Sequence, residues 1–94
     1  MIGLNKEYRV AIEHFGEEDQ IVKLQEEIDE LKVAINELGQ CTNTVTEVEK
    51  ELADVINVAM QFVIHCGGSA ENVMSQCAAK MHRTMKRIDS GYYD

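Results

Sequence analysis

Glu27-x-x-Glu30, led by Glu26, and Glu51-x-x-Asp54 are two acidic pairs set at three-residue spacing inside apolar-periodic segments, Gln20 to Leu38 and Thr46 to Cys66. Residues three apart share a helix face, so each pair aims two carboxylates the same way. If the two helices pack antiparallel, four acids meet across one seam. Four carboxylates repel one another unless a divalent cation sits among them. Hard oxygen ligands that leave water on the ion suit Mg²⁺, with Mn²⁺ also fitting, rather than zinc. The spacing therefore predicts a Mg²⁺ enzyme. Taken singly, either pair reads first as solvated helix surface or as an intrahelical partner for lysine. Their joint occurrence on consecutive helices is the stronger signal.

The elements that must hold these acids are helices. The chain of 94 residues is one domain, 1–94, with no proline, two phenylalanines, three tyrosines and 45% apolar residues. Scarce strand-forming aromatics and abundant helix formers predict an all-α protein. A first helix spans Asn5 to Phe15, with Tyr8, Ile12 and Phe15 on one stripe and Gly16 at its end. A second runs from about Glu17 to Leu38. Its apolar residues Ile21, Leu24, Ile28, Leu31, Ile35 and Leu38 alternate three and four apart, the pattern of a packed helix pair.

Gly39 stops that helix, and Gln40 to Val45 reads as a polar loop. Thr46-x-x-Glu49 is a capping box, with Thr44-x-x-Glu47 an overlapping option. The third helix carries Val48, Leu52, Val55, Ile56, Ala59, Phe62, Val63 and Cys66 and breaks at Gly67-Gly68. Ser69 caps a fourth, from Ala70 to about Asp89, with Val73, Met74, Cys77, Met81, Met85 and Ile88 on its apolar side. Ser90 to Asp94 reads as a frayed tail. At about 100° per residue, Glu27, Glu30, Glu51 and Asp54 fall beside the apolar stripes rather than opposite them, at the edge of the core. Partial burial there raises carboxylate pKa values unless a cation is present.

A net charge of −8 argues against nucleic acid and against anionic membranes, since a phosphate backbone demands a basic face. An anionic small ligand remains compatible once metal ions neutralise the acids. Cys41, Cys66 and Cys77 are odd in number and lack C-x-x-C spacing, which disfavours a disulfide framework and structural zinc. No signal pattern opens the chain and no apolar run approaches about 18 residues, so a cytoplasmic location with no membrane span is expected.

Glu26-Glu27-x-x-Glu30 followed by Glu51-x-x-Asp54 resembles the signature of the MazG-like nucleotide pyrophosphohydrolases, members of the all-α NTP pyrophosphatase superfamily. Phe15-Gly16-Glu17 through Gln20-x-x-Lys23-Leu24, and Leu52-Ala53-Asp54-Val55, look like the surroundings of the two motifs in small members. Lys80, Arg83 and Arg87 running into Gly91-Tyr92-Tyr93 resemble their tail. The resemblance implies a four-helix, MazG-like bundle completed by oligomerisation, with Glu27, Glu30, Glu51 and Asp54 on Mg²⁺. It implies cleavage of a (d)NTP between the α- and β-phosphates to (d)NMP and pyrophosphate. Glu27 and the leading acid Glu26 are then the catalytic candidates, Glu26 orienting or deprotonating the attacking water.

A triphosphate carries about four negative charges, more than one metal ion neutralises. Lys80, Arg83, Lys86 and Arg87 cluster near the chain's end, and Lys23 lies one turn before Glu27, so these are the candidate phosphate contacts. Basic residues in a final helical turn also simply complement the helix dipole. No glycine-rich phosphate loop occurs, which excludes P-loop chemistry. Asn57, one turn past Asp54, is a candidate for a base edge or sugar hydroxyl, or a polar group at a subunit contact. With no tryptophan, a base would stack on His14, Phe15, Phe62 or a tyrosine. His65 and His82 read as surface or interface residues and the methionines as core fillers.

The long apolar stripes exceed what so short a chain covers, predicting a homodimer at least. The resemblance implies a homotetramer built as a dimer of dimers, with sites near an interface. A non-catalytic helical interaction or adaptor protein is the alternative, and a dUTPase-like or phosphoribosyl-ATP-cleaving activity a variant on the same fold.

Overall fold

Helix-forming ladders without proline become four helices, and the described residues contain no strand. The structure is a computed structural model describing residues 3–40 and 44–93. Helix α1 covers Asn5–Phe15, α2 Glu17–Gly39, α3 Val45–His65 and α4 Ala70–Asp89. Cys41, part of the predicted 40–45 loop and Asp94 lie outside the described residues. None of the described helices is long and apolar enough to cross a membrane.

Local signals place the boundaries. Thr44, not Thr46, caps α3: its Oγ1 accepts from the Glu47 N–H at 3.3 Å, so the overlapping capping option is the one used. Between α3 and α4 the backbone closes a Schellman turn, with Gly68 N–H donating to Val63 O at 2.8 Å and Gly67 N–H to Ile64 O at 3.0 Å. Gly67 takes φ +91°, and a Cβ on Gly68 would stand 2.8 Å from Val63 Cγ1. Ser69 then caps α4, accepting from Asn72 N–H at 3.1 Å. From Ser90 to Tyr92 the tail is held by hydrogen bonds rather than frayed. Tyr92 N–H donates to Arg87 O at 2.9 Å, Gly91 N–H to Ile88 O at 3.1 Å, and the Arg87 guanidinium lies 5.0 Å from the Tyr92 ring centroid.

Helices α2 and α3 form the long antiparallel pair, and α1 lies against α3, tied by the Tyr8 hydroxyl donating to Asn57 Oδ1 at 3.0 Å. Asn5 fastens the start of α4, its Oδ1 accepting from Ala70 N–H at 3.2 Å while its Nδ2 donates to Glu71 at 3.0 Å. The apolar core gathers at this end of the molecule around Tyr8, Met60, Ile64 and Ala70, backed by Ile56, Val63 and Val73.

The seam between α2 and α3 differs from the one predicted. Within the chain α2 buries Gln20, Glu27 and Ala34, and α3 buries Val58, Gln61 and Ile64 along with Met60. The expected apolar residues flank this line: Leu24, Ile28, Leu31 and Val55 are half-buried, while Ile21, Ile35 and Leu52 are exposed. Phe15 also leaves the Tyr8–Ile12 stripe for solvent, at 54% exposure. Beyond Val73, the apolar side of α4 is uncovered, with Met74, Met81, Met85 and Ile88 about half exposed. These methionines are therefore not core fillers within one chain. The four helices do not close a bundle alone.

Candidate metal centre

Antiparallel pairing sets Gln20 against Gln61 at one point of the seam, joined Nε2 to Oε1 at 2.7 Å. Seven residues further along α2, two turns, the same line reaches Glu27; seven back along α3 it reaches Asp54. Glu27, Glu51 and Asp54 accordingly each offer a carboxylate oxygen, and the three atoms lie within 4.8 Å of one another. Both acidic motifs thus converge. Mg²⁺ holds oxygens at about 2.1 Å, so ligands on opposite sides of the ion stand about 4.2 Å apart. Small side-chain rotations would close the three around such an ion.

Burial grades across the cluster. Glu27 is 4% exposed, Glu51 is half-buried and Asp54 is exposed. Glu27 Oε1 receives the Lys23 ammonium at 2.9 Å, whereas Glu27 Oε2 and Glu51 Oε2 are buried without any hydrogen-bond partner among the described residues. Buried polar atoms are nearly always paired, because stripping a charged oxygen of water costs several kcal/mol (of order ~3–5 when a partner is missing). Two such orphans on adjacent acids are what a divalent cation would satisfy. The donor set, all carboxylate, fits Mg²⁺ or Mn²⁺ and not a soft metal.

Glu30 is exposed and contributes no oxygen to the close triad, though its carboxyl stands within hydrogen-bonding reach of Glu27 and Glu51. Its carboxyl is nevertheless pushed above the usual carboxylate range, chiefly by the Glu27 charge, then by desolvation and by Glu51. Lys23 is held above its ordinary value by its hydrogen bond to Glu27 and that residue's charge. Among the described residues, Lys23 is the basic side chain paired with this cluster, and it pairs with the most buried acid.

Two open grooves flank the cluster. One, of about 370 Å³, lies between Glu30, Ala34, Glu47 and Glu51. The other, of about 630 Å³, runs toward the α1–α2 corner and is lined by Phe15, Gln20, Lys23, Glu26, Val58 and Gln61, among others. Glu26 is exposed there, one residue from Glu27. Asn57 is occupied by the Tyr8 hydroxyl. Lys80, Arg83 and Arg87 do come together, with Thr84, along a groove of about 350 Å³ on α4, and no α4 residue lines either groove beside the acids. His65 pairs with Glu17 at 2.7 Å, joining the end of α3 to the start of α2.

Sequence reasoning missed the Gln20–Gln61 pair and the Lys23–Glu27 bridge as parts of the seam. A signal existed: residues 20, 23, 27, 30 and 34 form a three–four ladder, as do 47, 51, 54, 58 and 61, each one position out of phase with the apolar ladder. The chain matches no protein-family model, no curated protein and no solved structure, so the likeness of its acidic motifs stands on the residues alone.

Proposed function

We propose that this protein is a divalent-cation-dependent nucleoside triphosphate pyrophosphohydrolase of the MazG-like type, acting as a homo-oligomer. The observation that carries the reading is the pair of orphaned buried oxygens, Glu27 Oε2 and Glu51 Oε2, inside a carboxylate triad within reach of a common ion. When bound, the ion supplies charge neutralisation at the triphosphate and a more acidic water. The chain's own residues do the rest. Glu27, Glu51 and Asp54 would hold the ion, and Glu30, whose proton affinity is raised chiefly by the Glu27 charge, then by desolvation and by Glu51, adjoins them.

Glu26, exposed at the groove's edge, takes the proton from water as its oxygen bonds to the α-phosphorus. The bridging bond to the β-phosphate breaks, its electron pair leaving with pyrophosphate. Lys23 shifts between Glu27 and a phosphate oxygen. The further positive charge that a triphosphate demands comes from Lys80, Arg83 and Arg87 on α4 of a neighbouring subunit. The exposed ladder of Ile21, Ile35 and Leu52 and the bare apolar side of α4 support that assembly, each half-exposed side chain gaining about 1 kcal/mol when the rest of it is covered.

The test is pyrophosphate release from a panel of (d)NTPs with Mg²⁺ or Mn²⁺. Pyrophosphate in wild type and its loss in Glu27→Gln support the reading; orthophosphate as sole product rejects α–β cleavage. The competing reading, a non-catalytic helical interaction module, is favoured by the uncovered methionine face of α4. It requires that Mg²⁺ leave the melting temperature of the wild-type protein unchanged, whereas a bound ion raises it by mass action.

A further inference from the structure

The seam continues past the acids into the 630 Å³ groove, and its chemistry changes there. Gln20 and Gln61, each 7% exposed, line it, spending one amide N–H and one carbonyl on each other. That pairing leaves Gln20 Oε1, an acceptor, and Gln61 Nε2, a donor, as the second polar atom of each amide in the lining. Two glutamines in a helix–helix seam cost stability relative to apolar residues unless something uses their free hydrogen-bonding groups. At the rim stands Phe15, more than half exposed at the end of α1, edge-on to His14 at 4.8 Å between ring centroids.

We infer that this groove is the nucleoside subsite: a nucleobase stacks on Phe15 and presents its polar edge to the Gln20 and Gln61 amides. The inference rests on the triphosphate-hydrolase reading above and specifies where the substrate's neutral half lies. Lys23 links the two halves, lining the groove while its ammonium touches Glu27 2.9 Å away. A nucleotide laid along the seam therefore has its phosphates at the acid cluster and its base one to two helical turns away. Charge fixes that direction. Asp19, next to Gln20, lines the same groove and repels phosphate, while its carboxylate accepts a hydrogen bond from a sugar hydroxyl or an exocyclic amine. The volume is within the roughly 300–1,000 Å³ usual for small-molecule sites. Amide groups offering a donor beside an acceptor are the side-chain chemistry that distinguishes one base edge from another.

Binding separates this inference from the reading beneath it. Inorganic tripolyphosphate with Mg²⁺ probes the acid cluster alone, and non-hydrolysable α,β-imido (d)NTPs probe both halves. The expected result is that Phe15→Ala, a change at an exposed ring, weakens the imido nucleotides roughly tenfold and leaves tripolyphosphate affinity as in wild type. Gln61→Met alters the ranking of bases. In the wild-type protein the side-chain amide NMR signals of Gln20 and Gln61 move on addition of nucleotide and not of tripolyphosphate. If nucleotides bind wild type and Phe15→Ala equally and those amide signals stay still, the subsite is wrong while the hydrolase stands. If wild type binds neither probe, both fall together.

Discussion

In the proposed reaction Glu27 is the residue on which the chemistry turns, because among the described residues it is the acid taken almost wholly out of water. Its Oε1 is satisfied by Lys23, and its Oε2 has no hydrogen-bond partner among the described residues. Glu27→Gln removes the charge while keeping the shape. Its expected effects are loss of the Mg²⁺-induced rise in melting temperature, read by calorimetry, and a fall of ~10²-fold or more in pyrophosphate release. Glu30 gives a pH-dependent test. Its folded-state pKa lies above the unfolded value, so the folded protein favours the protonated carboxyl. Ionising it therefore opposes folding: the penalty is absent below about pH 4 and grows as pH rises through the folded pKa. In metal-free buffer Glu30→Gln should melt higher than wild type at pH 7 and equally near pH 3.5. Saturating Mg²⁺ should shrink the pH 7 difference, and an unchanged gap would disconnect Glu30 from the ion.

Helix ends decide how the site is held. The α3–α4 turn works because Gly67 is left-handed and Gly68 brings its backbone against Val63. Gly68→Ala places a methyl 2.8 Å from Val63 Cγ1 and 3.1 Å from the Val63 carbonyl oxygen, and the backbone atom cannot yield as a side chain can. A loss of about 1–3 kcal/mol is expected, measurable by urea denaturation. These ends were readable in the chain, since Gly16, Gly67-Gly68 and Ser69 punctuate the apolar ladders at the observed boundaries. Choosing Thr44 over Thr46 was not readable, because both threonines precede a glutamate by three and only backbone geometry selects between them. The tail was misjudged for a similar reason. Gly91-Tyr92 closes a Schellman turn whose hydrogen bonds no periodicity announces.

At the scale of the whole molecule, a small polar-seamed chain leaves its best apolar ladder outside. Ile21, Ile35 and Leu52 on the α2–α3 pair, with Met74, Met81, Met85 and Ile88 on α4, are exposed in the single chain. Sedimentation equilibrium should therefore give a multiple of 10.6 kDa. The double variant Ile21→Glu, Ile35→Glu should shift it toward the monomer without unfolding the chain, since both positions are outward-facing within it. A wild-type protein that sediments as a monomer at micromolar concentration would overturn the assembly, and with it the delivery of α4's basic residues to another subunit's site.

Four helices, their stops and two acidic pairs at three-residue spacing are properties of the chain alone, because helix periodicity and glycine conformation act locally. The α2–α3 register and the facing sides were decided only in three dimensions. On each helix a polar three–four ladder and an apolar one run side by side, offset by a single residue and hence by about 100°. Periodicity counts both ladders alike, and hydrophobicity favours the apolar one for the inner seam. Within the chain, α1 and the start of α4 cover the far end of α3, and the Gln20–Gln61 amides lock α2 to it. That turns the acids inward toward one another and leaves the apolar ladder for another surface, a choice set by which neighbours each helix can reach.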